Sequence, residues 1–382
     1  MAKTLLVDTN RAAYPVYNSL LASGHEVWVV GGNPAEPLAK ISPNYVQLDY
    51  SDSEKLSDLL EKERFDFLVP GCTDISYKTC SKVGAGKFPG IDSVEVTRVI
   101  NDKAEFRKLA EAINLSVPRL LTPHDALQHK SVIVKPVDSF SGRGISILHH
   151  PRRESLENAV AEARAASKSG TALIEEFVAG QLYSYSAFVR GGKVMVDFVV
   201  QEDCVANTFA VDVSRVVWDF PADMRALLQR DVERLAAELS LVDGLVHTQV
   251  IAAGDKYWII EMTRRCPGDL YSLLIEYSTG YPYAASYAAL FTWGIAASAE
   301  AADRRRLMIR HTTCPKGDMS MFGLSFQSPM RIKLFVPLAL PGDRLSAGPA
   351  GRAALVFLEC ETEKIQADNY KKLLAGELIT FA

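Results

Sequence analysis

The 382-residue sequence is short of the features that mark several common functions. Six cysteines and seven histidines are present, but no cysteines form a C-x-x-C pair and no histidine cluster joins them, which excludes a zinc-finger pattern or a disulfide framework. No long hydrophobic run exists. The most apolar stretch, Ala284 to Ala297, is broken by Ser, Tyr, Thr and Gly and is shorter than a membrane span. The opening apolar run at Leu5-Leu6-Val7 is too short for a signal peptide and reads as a strand. Charge of one sign is scarce: a formal net charge of −4 gives no reason to expect nucleic acid or a membrane surface as partner. No G-x-G-x-x-G follows the first strand and no G-K-[ST] occurs, which excludes the dinucleotide-binding and P-loop patterns. There is no internal repeat. The expectation is a cytoplasmic protein with no membrane segment, for which a homo-oligomer is compatible.

What is there divides into three regions. Residues 1–98 alternate short apolar strands (Leu5 to Val7, Val27 to Val30, Phe65 to Val69) with helices, a βαβ rhythm that implies a parallel sheet. Ligands of such sheets collect at strand carboxyl ends, here Asp8-Thr9-Asn10-Arg11 and Gly71-Cys72-Thr73-Asp74. Residues 99–297 open with a helix that Asp102 can cap, with Glu105 placed for a capping box. Strands around Val132 and Ile145, a helix through Leu156, and a strand to Phe177 follow, making a unit at about 117–178. Two hairpins are read through Gly191-Gly192 and Gly254-Asp255. Residues 298–382 form a smaller tail with mixed strands and a last helix near Ala367 to Leu374.

Five short segments in the central region suit a polyphosphate. Such a ligand needs fixed cations, approachable backbone N–H groups and a bridging metal. Lys103, in Asn101-Asp102-Lys103, and Lys135, before Pro136, are point charges. Ser139 to Gly144 is small and polar, with Gly142 and Gly144 allowing backbone approach and Ser139 and Ser141 adding donors. Glu175-Glu176-Phe177-Val178 follows an apolar strand and can present backbone and carboxylate groups to a base. Glu261, after Trp258-Ile259-Ile260, is placed for Mg²⁺, with Thr263 as an oxygen donor. Arg265 can grip a phosphoryl group or a substrate carboxylate, and Gly268 and Asp269 continue a polar turn beside it. Arg264 and Arg310 are further candidates for an anionic substrate. Tyr271, Tyr277 and Tyr281 suit either a pocket wall or core packing.

Together these segments resemble the ATP-grasp superfamily of ATP-dependent carboxylate ligases. The resemblance implies an N-terminal α/β domain, an ATP-grasp fold of two α+β subdomains and a small C-terminal subdomain. Arg352 to Phe357 is similar to the family's late Arg-strand segment. It further implies that Lys103 and Lys135 bind ATP phosphates, that Ser139–Gly144 lids them, and that Glu175–Val178 holds adenine. Glu261, Gln249 and Thr263 would surround Mg²⁺. Arg265 and Lys135 would act in catalysis, and Arg265, Gly268 and Asp269 would meet substrate. Three positions depart from the family pattern. Leu182 stands where a ribose-binding Glu is frequent, Gln249 where a metal carboxylate is common, and Thr263 where Asn is usual. The expectation is weaker magnesium binding, or another acid filling in, Asp269 or Asp212. The implied activity is ligation of a small carboxylate to an amine through an acyl phosphate, with ADP released. The alternatives are a carboxylase of the same superfamily and a non-catalytic nucleotide-binding protein.

Overall fold

A computed structural model describes residues 1–138, 142–327, 330–340 and 342–381. Four parallel strands, Lys3–Val7, Glu26–Gly31, Tyr45–Gln47 and Phe67–Pro70, form the first sheet in the spatial order third, second, first, fourth. Both faces of such a sheet are covered, so its strands read as apolar runs; Leu5, Leu6 and Val7 are fully buried. The strand order reverses at Lys3–Val7, leaving a crevice beyond the ends of that strand and Phe67–Pro70. The short strand Tyr45–Gln47 and the helices Pro37–Ile41, Asp74–Gly84 and Val94–Asn101 escape the sequence pattern here. The helix Asp74–Gly84 buries Ser76, Thr79 and Ser81 beside Tyr77 and Cys80, so it has no apolar stripe to recognise.

Val94–Asn101 also explains why the expected capping box is absent. It runs directly into the cap of the next helix, Lys103–Ala112, and the Asp102 N–H already donates to the Arg98 carbonyl at 3.0 Å. Asp102 still caps, its Oδ1 accepting from the N–H groups of Ala104 and Glu105 at 2.9 and 3.0 Å. Glu105 turns outward to Lys108 and Arg98 instead.

A three-stranded antiparallel sheet follows, ordered Ser146–His149, Ser131–Pro136, Ala172–Glu176 and covered by the helix Arg153–Ala166. Its own small core contains Val132, Val134, Leu156, Ala159, Ala163 and Ile174. The largest sheet has eight antiparallel strands. In spatial order these are Lys256–Thr263, Gly244–Ala253, Gln181–Arg190, Lys193–Asp203, Val213–Val216, Leu307–Thr313, Ala354–Cys360 and Arg331–Pro337. Both hairpins turn where expected, at Gly191-Gly192 and Gly254-Asp255. Of the tail strands, Leu307–Thr313, Arg331–Pro337 and Ala354–Cys360 extend this sheet, while Leu324–Phe326 and Ile379–Phe381 pair antiparallel in a two-stranded sheet of their own. The helices Tyr271–Thr279 and Tyr283–Leu290 and the short link between them contribute Tyr271, Tyr281, Tyr283 and Tyr287 to a core shared with the N-terminal sheet. Tyr271 and Tyr281 are therefore core residues, and Tyr277 packs edge-on against Phe357. Among the described residues no helix is long and apolar enough to cross a membrane.

Candidate active site

Lys135 is buried near the end of the strand Ser131–Pro136, its Nζ 2.6 Å from Glu175 Oε2 on the neighbouring strand. The other Glu175 oxygen accepts from Arg107 Nε at 3.0 Å, and Arg107 Nη2 donates to the Ile260 carbonyl at 2.6 Å. Glu175 is thus a buried bridge between two cations, not an outward acceptor at a strand edge. Arg107 has no counterpart in the sequence reading; an arginine on a predicted helix gave no sign of being fully buried. Burial pushes Lys135 down to about 8, with Arg107 and Lys103 adding to the effect and Glu175 opposing it. Lys78, from the helix Asp74–Gly84, is also held below its ordinary value, chiefly by burial, with Lys103 adding to it and Asp74 opposing. Lys78, Lys103 and Lys135, from three separate elements, therefore converge on one region. Asp74, Asp138 and Asp102 oppose the lowering at Lys78, and Glu175 opposes it at Lys135.

The adjoining hinge is fixed by backbone contacts. Glu176 accepts from the Arg119 N–H at 3.0 Å. The Phe177 N–H donates to the Ser131 carbonyl at 3.1 Å, and its ring meets His149 edge-on. Val178 follows, half-buried. In the glycine loop, Ser139 and Ser141 lie outside the described residues. Gly142 and Gly144 take φ of +74° and +72°. A Cβ at Gly142 would stand 2.4 Å from Phe209 Cβ, and one at Gly144 would stand 2.4 Å from Ala166 Cβ. Glycine is required at both positions by conformation and by space.

Glu261 and Gln249 are cross-strand partners in the second hairpin. Gln249 Nε2 donates to Glu202 Oε2 at 3.3 Å. Glu202 is a buried acid that sequence reasoning missed. Burial pushes it up to about 7, with the Glu261 charge adding to this and Arg310, Ser184 and Gln249 opposing. The signal lay in strand alternation: Glu202 shares a face with the buried Phe198 and Val200, and an acid on an inward face rarely lacks a task. The acids expected to fill in are engaged elsewhere. Asp212 accepts from the Val205 and Ala206 N–H groups, and Asp269 pairs with Arg352 at 2.8 Å. Thr263 is turned away, donating to Asp74 at 3.3 Å. Among the described residues, no group of three His, Cys, Asp or Glu side chains gathers for a metal. The available oxygens are two carboxylates and one amide.

Arg265 meets Asp74, at the carboxyl end of the N-terminal sheet, with Nε to Oδ1 at 2.6 Å. Burial opposes its charge, but Asp74 overrides that cost. Arg264 cannot read a substrate. It is buried, pairs with Asp92 at 2.6 Å, and donates to the carbonyls of Leu245 and Val242. Arg310 is likewise committed, donating to the Asp269 carbonyl at 3.0 Å and to Ser214 Oγ at 2.7 Å. Gly268 has open space around it, while Asp269 and Leu270 take left-handed φ of 52° and 54°. The two arginines holding Asp269 offset that strain. Asp8 accepts from the N–H groups of Asn10 and Cys72 at 2.9 and 2.8 Å, tying together the two strand ends that flank the crevice. A cleft of about 240 Å³ opens between Arg11, Cys72, Gly268, Asp269 and Arg352.

Residues 100–268 match the family model of the ATP-grasp domain. Phosphoribosylamine–glycine ligase of Pyrococcus furiosus is 26% identical over 208 residues, which are 51% of this chain and 47% of that protein. The chain thus spans about half the length of this curated relative. The structure is similar to phosphoribosylglycinamide synthetase from Anaerococcus prevotii, with a TM-score of 0.78, 15% identity, and 100% of this chain and 99% of that one covered. It is also similar to L-amino acid ligase from Bacillus licheniformis, with a TM-score of 0.79, 14% identity, and 100% and 98% coverage. At these identities the two likenesses establish the fold.

Proposed function

From the match of residues 100–268 to the ATP-grasp domain, we propose that this chain is an ATP-dependent ligase of that superfamily, joining a small carboxylate to an amine. The observation that carries the reading is the convergence of Lys78, Lys103 and Lys135 beside the buried Glu175, an arrangement that favours a polyphosphate. The relatives whose names describe ligases of phosphoribosylamine with glycine and of amino acids support the reaction class.

In this reading the lysines hold the triphosphate and Arg265, oriented by Asp74, faces the transferred phosphoryl group. The γ-phosphoryl passes to a substrate carboxylate oxygen, ADP departs, and an acyl phosphate remains. The amine then attacks the carbonyl carbon; the C–N bond forms, the C–O bond to phosphate breaks, and the amine loses a proton. No protein nucleophile is required, and positioning and charge stabilisation carry the rate. Glu261, Glu202 and the Gln249 amide oxygen are hard oxygen donors, a set that suits Mg²⁺. When bound there, the ion would supply neutralisation of phosphate charge.

The test is nucleotide product analysis with Mg–ATP across a panel of carboxylates crossed with amines and ammonia. ADP and phosphate are expected only when one acid and one amine are both present. AMP and pyrophosphate would exclude the acyl phosphate. Lys135→Ala and Glu261→Ala are each expected to lower turnover by about 10²–10³, and near-normal rates in both would refute the site.

A further inference from the structure

The cleft beyond the ends of strands Lys3–Val7 and Phe67–Pro70 has a composition that selects a ligand. Arg11 projects from the turn after the first strand into two adjoining spaces of about 240 and 500 Å³, both of which Arg352 and Leu338 also line. Arg352 is already neutralised, its Nη1 2.8 Å from Asp269 Oδ1. Arg11 makes no ion pair within 4.0 Å among the described residues, although it is half-buried and senses the charges of both Asp269 and Arg352. In the inner space, two guanidiniums face one carboxylate, leaving one positive charge uncompensated. The rest of the wall combines Asn10, Ala12, Cys72 and Gly268 with three leucines: Leu270 and Leu355 are buried there and Leu338 is half-buried.

We propose that Arg11 anchors the carboxylate of a small aliphatic monoanion in this cleft, with Leu270, Leu338 and Leu355 packing its hydrocarbon body. This rests on the ligase reading and names its acid substrate class. One free guanidinium matches one negative charge in a planar, two-oxygen group, which its fork can hold by paired hydrogen bonds. A phosphomonoester dianion would leave a second charge unmatched in a partly desolvated site, which is costly. An amine would place a second cation beside Arg11. The leucines contribute through apolar area removed from water, so an added methylene on the ligand strengthens binding until the inner space is filled.

Calorimetric titration of the full chain distinguishes these ligands, using isovalerate, isopentyl phosphate and isopentylamine as probes with one shared hydrocarbon body. Each is titrated with and without Mg–AMP-PNP, and AMP-PNP affinity is measured in its own arm. Isovalerate is expected to bind saturably and at least about tenfold more tightly than isopentyl phosphate, with no heat from isopentylamine; tenfold is about 1.4 kcal/mol. Arg11→Ala should weaken isovalerate at least about tenfold while AMP-PNP affinity and melting temperature hold, and Arg11→Lys should restore part of the loss. Leu338→Ser should weaken isovalerate more than acetate. The inference is overturned if isovalerate fails to bind, if isopentyl phosphate binds as tightly, or if Arg11→Ala leaves isovalerate unchanged. Absent AMP-PNP binding instead refutes the ligase reading, whatever the carboxylate arm returns.

Discussion

Lys135 and Glu175 are read from the sequence as two separate nucleotide contacts, yet the structure makes them parts of one buried unit with Arg107. The consequence is a stability asymmetry. Glu175→Ala leaves two buried cations facing each other, and breaking such a unit costs about 3–5 kcal/mol. Lys135→Ala leaves Glu175 still paired with Arg107 at 3.0 Å and should cost clearly less. Urea denaturation of the two variants checks this; equal losses would mean that Arg107 alone does not balance Glu175. The lysine was legible because a cation before a proline and a glycine loop has few structural uses. Arg107 was not, because its partners lie on strands 68 and 153 residues away, and helix periodicity says nothing about which polar residue those strands will cover. Glu202 was hidden for a similar reason: its neighbour Gln249 is 47 residues distant, although strand alternation alone marked it as inward-facing.

At the scale of elements, the carboxyl ends of the first and fourth N-terminal strands are clamped by Asp8, and this clamp titrates. Burial pushes Asp8 up from its ordinary 3.8 to about 6, against the N–H groups of Asn10 and Cys72. The folded state therefore holds the proton more tightly than the unfolded chain. Its favourable contribution is complete below pH 3.8, falls as the unfolded chain ionises, and is lost above pH 6. The difference amounts to about 3 kcal/mol. Asp8→Asn removes the titration, so the stability of the native chain relative to this variant should fall by that order between pH 4 and 6. Denaturant titrations of both proteins across that window test the slope, and a flat difference would mean that Asp8 is ionised throughout. The strand ends themselves were read correctly from the apolar runs and the turn residues after them. The helices Asp74–Gly84 and Val94–Asn101 were not, because the first buries hydroxyls where an apolar stripe was sought and the second ends on the cap of its successor. Asp74, which pairs with Arg265, sits at the start of the first of these, so this contact between the N-terminal domain and Arg265 was invisible until the helix was seen.

For the whole molecule, the distribution of cores predicts which part moves. The N-terminal sheet and the helices Tyr271–Thr279 and Tyr283–Leu290 share one continuous core with part of the eight-stranded sheet. The buried Arg264–Asp92 pair adds a second tie, since Arg264 also binds the carbonyls of Leu245 and Val242 while Asp92 accepts from the Val242 N–H. By contrast the three-stranded unit has a separate core of seven buried residues. It meets the rest of the molecule partly through polar contacts such as Glu175 to Arg107. A unit with a separate small core and a polar seam opens at lower free energy than the frame it rests on. Nucleotide held by Lys135 on this unit and by Lys103 and Lys78 on the frame would bridge that seam. Hydrogen–deuterium exchange should therefore show the strands Ser131–Pro136, Ser146–His149 and Ala172–Glu176 exchanging faster than Lys3–Val7 in the free protein. Mg–AMP-PNP should slow them markedly while leaving Lys3–Val7 almost unchanged. In Lys135→Ala the slowing should shrink, because the bridge then lacks its anchor on the moving side. Uniform protection across both units would mean that the seam is as stable as the frame, and the nucleotide would then enter a preformed cleft rather than close one.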